Sequence, residues 1–149
     1  PIDALADAAQ MAAETGASFV VITGGEPLYH DLQPLTQALD ARCGLPLHLE
    51  TSGVDPLSGR FDWITLSPKR HRPPRQELLQ ACHELKVVVH GPEDISFAAS
   101  MASHCEDDTE RLLQPGWESS IGEELAVDHV RQHAQWRLSL QSHKWLGIR

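Results

Sequence analysis

Cysteine is scarce in this chain and wrongly spaced for a disulfide framework or a metal knuckle. Cys43, Cys82 and Cys105 are odd in number, far apart and without a CxxC pair. That excludes a secreted, disulfide-stapled scaffold and points to a reducing, cytoplasmic setting. The three read as small buried or half-buried thiols. Positive charge is also in deficit: 12 Lys plus Arg against 21 Asp plus Glu give a formal net charge of −9. Nucleic acid and anionic membrane are therefore excluded as main partners. No apolar run approaches the length of a membrane span, and no signal peptide opens the chain. Linkers and low-complexity segments are absent too, so the 149 residues read as one domain with a sizeable core. The first residue is Pro1, not Met, and a helical pattern begins at once, which predicts that an N-terminal piece is missing.

What is present is an alternation of strand and helix. Residues 3–15 predict a helix with Leu5, Ala8 and Ala12 on one stripe and Gly16 as its stop. Phe19-Val20-Val21-Ile22-Thr23 predicts a buried strand, Val20, Val21 and Ile22 being β-branched residues in a row after Phe19. A helix over about 32–42 follows, with Leu32, Leu35 and Leu39 on one face, Pro34 in the first turn and Gly44 at the end. Leu47 to Glu50 and Phe61 to Leu66 predict two more strands, then a basic, proline-rich loop from Arg70 to Arg75. A helix near 75–83, a strand from Leu85 to Val89, and a helix from Pro92 to before Cys105 come next. Arg111 to Leu113 predicts a strand, and Ser120 with Glu123 has capping-box spacing for a long helix carrying Ala126, Val127, Val130 and Ala134. Trp136 to Gln141 closes the series as a sixth strand. This order predicts a mainly parallel α/β sheet, with too few strands for a complete eight-stranded barrel.

Four predicted strands end in polar or Gly/Pro-containing turns: Thr23 to Pro27, Glu50 to Gly53, Ser67 to Lys69 and Gln114 to Trp117. In a parallel sheet these ends share one rim, where α/β proteins hold their ligands. Gly24 and Gly25 allow close approach of a ligand to backbone amides, and Pro27 holds Glu26 extended. Taken alone, the glycine pair fits a ligand-free strand-to-helix turn equally well. The four turns together favour a ligand site.

The turn Thr23-Gly24-Gly25-Glu26-Pro27 resembles the GGEP motif of radical S-adenosylmethionine enzymes. Further pieces narrow the resemblance: Glu50-Thr51-Ser52-Gly53, Ser67-Pro68-Lys69, Gln114-Pro115 before Trp117, and the closing Trp136-Arg137-Leu138-Ser139-Leu140-Gln141-Ser142-His143-Lys144. Together they are similar to the 7-carboxy-7-deazaguanine synthases of queuosine biosynthesis, from about Phe19 to Arg149. The resemblance implies a partial (β/α) barrel. It also implies three cofactors: S-adenosylmethionine, a [4Fe–4S] cluster on a CxxxCxxC loop, and Mg²⁺. The cysteines here lack that spacing, so the ligands of cluster and Mg²⁺ are expected in a segment before this sequence. The chain as given is expected to hold neither.

For the site, the resemblance implies S-adenosylmethionine contacts at Gly25, Ser67, Pro68, Lys69, Gln114, Pro115, Gly116 and Trp117. The carboxylate of Glu26 suits the cofactor's amine. Without the resemblance Lys69 reads equally as a solvated lysine, and Trp117 equally as a core residue or an adenine contact. Thr23, His143 and Arg149 match substrate-contacting positions. His143 alone would be a structural histidine. For Arg149 the terminal carboxylate is the expected contact. The implied reaction takes 6-carboxy-5,6,7,8-tetrahydropterin to 7-carboxy-7-deazaguanine with loss of ammonia. A homodimer, an electron donor and a cytoplasmic location are implied with it. Two other readings stay open: a different radical S-adenosylmethionine activity such as an activase, and a cluster-free remnant that binds nucleotide or serves as a subunit.

Overall fold

Alternation of apolar and polar side chains along the central strands sets the architecture. The computed structural model describes residues 1–148. Its six strands are β1 Val20–Ile22, β2 Leu47–Thr51, β3 Trp63–Leu66, β4 Glu84–Val89, β5 Glu110–Pro115 and β6 Trp136–Leu138. All are parallel and lie side by side in chain order, so the sheet is a barrel segment with β1 and β6 as open edges. The helices are α1 Ile2–Glu14, α2 Gln33–Arg42, α3 Gln76–Ala81, α4 Pro92–Ala102, α5 Ser120–Gln132 and a short α6 Ser142–Leu146.

One face of the sheet is apolar. The register aligns Leu49 with Ile64, Leu66 with Leu85 and Val87 with Leu113. These side chains pack with Leu78 and Leu79 of α3, Ala98 of α4 and Ala126 of α5 in one core. Leu49, Leu66, Leu78, Leu85 and Leu113 are fully buried, each contributing about 1.5–3 kcal/mol through apolar burial. The other face carries His48, Glu50, Thr65, Glu84 and Lys86 at the alternate positions. A parallel sheet usually has apolar cover on both faces. Here the second face is the polar inner wall of a partial barrel.

The partial-barrel expectation holds, and several local expectations need correction. β1 is not buried: it pairs only with β2, and Phe19 and Val21 are 49% and 43% exposed. Its β-branched run reports strand formation, not depth. In α1, Leu5, Ala8 and Ala12 face solvent, and the covered stripe is Ala6, Ala9 and Ala13. Ala6 packs in a cluster with Leu39 of α2 and Leu47 of β2. Ser119, not Ser120, caps α5: its Oγ accepts the Gly122 amide at 3.1 Å. β5 runs on through Gln114 and Pro115, which were expected in the following turn. β6 stops at Leu138, short of the expected Gln141, and the short α6 follows.

Candidate active site

The C-terminal strand ends form one rim. Glu26 is extended (φ −147°, ψ 103°), as its proline neighbour requires. Its carboxylate accepts from the Leu28 amide at 3.2 Å, the Ser52 amide at 2.9 Å, and the hydroxyls of Thr51 and Ser52. Burial alone would raise its pKa. The hydrogen bonds from Ser52, Thr51 and the two amides outweigh burial and hold it below the ordinary carboxylate range. Glu26 therefore ties the end of β1 to the end of β2.

Beside that tie, Gly24 and Gly25 face open space. An added Cβ at either would meet no atom within 4 Å, and only Gly24 has a positive φ, +132°. Both are exposed, so their backbone is accessible to a ligand. Thr23 donates its hydroxyl to Glu50 at 3.3 Å, and Lys86 Nζ donates to the other Glu50 oxygen at 3.3 Å. This line joins the rim to the polar inner wall. Lys69 Nζ donates to Ser67 Oγ at 3.0 Å. Burial first, and then the Lys86 charge, push the Lys69 pKa down; Glu26 opposes this. Lys69 thus belongs to the same electrostatic neighbourhood as Lys86 and Glu26.

The next two strand ends are locked by close approaches. A Cβ on Gly116 would lie 2.1 Å from the His90 ring, and one on Gly122 would lie 2.0 Å from the Val89 carbonyl oxygen. Glycine at these positions lets the β5 turn and the first turn of α5 seat directly on the end of β4. A cavity of about 400 Å³ opens there, lined by Pro115, Gly116, Trp117, Ser119, Leu140 and Gln141 among others. Trp117 is 41% exposed at this cavity and not a core residue, and Lys144 Nζ lies 5.2 Å from its ring centroid.

Thr23, Gly25, Glu26, Ser67, Pro68, Lys69, Gln114, Pro115, Gly116 and Trp117 all lie on strand ends at this rim. His143 sits on α6, exposed, next to the Gln141 and Lys144 that adjoin the Trp117 cavity. Arg149 lies outside the described residues. No reading of single segments singled out the Glu50–Lys86 pair or the Arg70–Asp94 pair. Asp94, buried on α4, accepts from the His90 and Gly91 amides at 2.8 and 3.1 Å and pairs with Arg70 at 2.8 Å. It anchors the loop after β3 to the β4–α4 turn. The visible signal for Lys86 is a lone charge inside the predicted strand from Leu85 to Val89.

Among the described residues, no group of three or more His, Cys, Asp or Glu side chains is placed to hold a metal ion. Cys43 follows α2, while Cys82 and Cys105 lie together on the helix side of the sheet, away from the rim.

No family model matches the chain. A 7-carboxy-7-deazaguanine synthase from Synechocystis is 47% identical over 149 residues, covering 100% of this chain and 71% of that protein. The chain belongs to the 7-carboxy-7-deazaguanine synthase family. A synthase of the same name from Prochlorococcus marinus is 44% identical over 169 residues, covering 99% of this chain and 75% of the relative. The crystal structure of QueE from Escherichia coli superposes with a TM-score of 0.75 at 31% identity, over 90% of this chain and 61% of that one. In this synthase-family chain, the fold is that of QueE over the matched region.

Proposed function

We propose that this chain carries the S-adenosylmethionine-binding and substrate-facing rim of a 7-carboxy-7-deazaguanine synthase. The observation that supports it most is the convergence of the Gly24–Gly25 turn, Ser67–Lys69 and Gln114–Trp117 on one rim of a synthase-family fold. The open glycine pair fits the amino-acid end of S-adenosylmethionine, which has both donors and acceptors. The Trp117 cavity fits its adenine, through an aromatic face and nearby polar groups. Glu26 already accepts four hydrogen bonds, so its main part is to hold the rim, with its negative charge directed at the cofactor's amine.

The substrate of this reading is 6-carboxy-5,6,7,8-tetrahydropterin, contacted by Thr23, His143 and Arg149. The product is 7-carboxy-7-deazaguanine, formed with loss of ammonia in a lyase reaction of queuosine biosynthesis. A bound S-adenosylmethionine, together with a [4Fe–4S] cluster and an external electron donor, would supply the hydrogen-abstracting chemistry. The cysteines of this chain do not fit such a cluster, which needs closely placed thiolates, and among the described residues no group of three or more His, Cys, Asp or Glu side chains is placed to hold a metal ion. Both belong, in this reading, to a CxxxCxxC-bearing segment N-terminal to this sequence. The chain's own residues bind, orient and exclude water. A cytoplasmic homodimer completes the proposal.

The test is an anaerobic assay of enzyme containing this sequence and a reconstituted cluster. With reductant, S-adenosylmethionine, Mg²⁺ and the tetrahydropterin, it should release ammonia and 7-carboxy-7-deazaguanine. Cleavage of S-adenosylmethionine without conversion of the pterin would instead favour a different radical activity. No S-adenosylmethionine binding at all would favour a cluster-free remnant.

A further inference from the structure

Away from the rim, at the opposite ends of β4 and β5, two thiols meet. Cys82 ends α3 just before β4, and Cys105 follows α4 just before β5. Their sulfurs are 3.9 Å apart. We propose that Cys82 and Cys105 form a thiol–disulfide exchange site, with Cys105 as the attacking thiol, Cys82 as the resolving thiol and small-molecule disulfides as oxidant.

Three observations assign these roles. Cys105 is the more accessible of the two, being half-buried, whereas Cys82 is 4% exposed. The hydrogen bond from Cys82 holds the Cys105 pKa below the ordinary thiol range, and the Arg111 guanidinium adds to this; burial and Glu106 oppose without reversing it. The same bond and burial push the Cys82 thiol up. Arg111 Nε is buried and, among the described residues, has no hydrogen-bond partner. A buried guanidinium nitrogen without an acceptor is costly, and its charge favours the Cys105 thiolate. A surface cavity of about 380 Å³, lined by Cys82, His83, Glu106 and Trp63, reaches the pair from the Cys82 side.

The chemistry balances. The Cys105 thiolate attacks one sulfur of the oxidant, and the other half leaves as a thiolate. Cys82 then gives up its proton, attacks Cys105 Sγ and expels the second half. The two protein thiols lose two electrons and two protons, and the oxidant becomes two thiols. Closing the sulfurs to a bond of about 2.0 Å needs side-chain rotation of the two residues. Both stand just beyond helix ends, where such adjustment is least opposed. The site is independent of the proposed synthase activity.

The test is oxidation of the chain by excess oxidised glutathione in a Cys43→Ser background, followed by non-reducing peptide mapping. The expected dominant product is an intramolecular Cys82–Cys105 linkage, reversed by dithiothreitol. Cys82→Ser should accumulate a stable glutathione adduct on Cys105. Cys105→Ser should leave Cys82 modified about tenfold more slowly, as its accessibility and thiolate character require. Arg111→Met should slow linkage several-fold. Free Cys82 and Cys105 at equilibrium with the oxidant, or a persistent Cys105 adduct in the chain that retains Cys82, would overturn the proposal. The Cys43→Ser mapping alone decides it if any of the three further variants fails to fold.

Discussion

At Glu26 one carboxylate is shared between two strand ends. Its folded pKa lies below the unfolded value of 4.5, so its stabilisation is present above that value and is lost as pH falls through the folded pKa. Glu26→Gln keeps the shape but turns an NH2 group toward donors that need an acceptor. It should cost about 1–3 kcal/mol at neutral pH, by leaving buried donors unpaired. Urea melts of both forms across acid pH check this: the difference should shrink below the unfolded pKa, and a pH-independent difference would remove the charge from the argument. The same residues show what sequence can tell at this scale. The glycine pair, the Glu26–Pro27 step and the polar strand ends were legible because each is local chemistry. Glu50 and Lys86 are 36 residues apart, and only the sheet register brings them together. The donors to Glu26 were likewise invisible, because Thr51 and Ser52 reach it from another strand.

Elements meet most closely where α5 begins. Gly122 lies against the Val89 carbonyl, and an added Cβ would approach that oxygen to 2.0 Å. Backbone cannot swing aside as a side chain can, so Gly122→Ala should push α5 off the sheet. Overpacking of this kind costs about 1–3 kcal/mol, offset little by the better helix propensity of alanine. Thermal denaturation checks it, and an unchanged or raised Tm would show that α5 is not held there. For Gly116→Ala the nearest atoms are those of the His90 ring, which can rotate, so its stability cost should be the smaller of the two. Element existence was largely legible from periodicity, boundaries less so. Two adjacent serines stand where α5 begins, and only geometry shows that Ser119 caps it. α6 spans five residues, too short for a periodic signal. The stripe of α1 was misplaced by one step because alanine supplies too little hydrophobic contrast to mark a face.

For the whole molecule, sequential parallel order with helices over one face leaves two open edges and a polar inner wall. Edge β1 also exposes Val21, with exposed Phe19 just before it, and unpaired parallel edges recruit other strands. The chain alone is therefore expected to self-associate in sedimentation velocity; a stable monomer with a sharp melt would contradict this. The central claim, that the open end of this sheet is built for S-adenosylmethionine, is tested most directly at Gly25. Its φ is not positive and the space before it is empty, so Gly25→Val should leave the Tm unchanged while filling the ligand's space. The measurement is calorimetric titration of S-adenosylmethionine into cluster-loaded enzyme containing this sequence, with and without the substitution. The account predicts affinity weakened by about tenfold or more, equivalent to roughly 1.4 kcal/mol or above. Equal affinity in two equally stable proteins would contradict it.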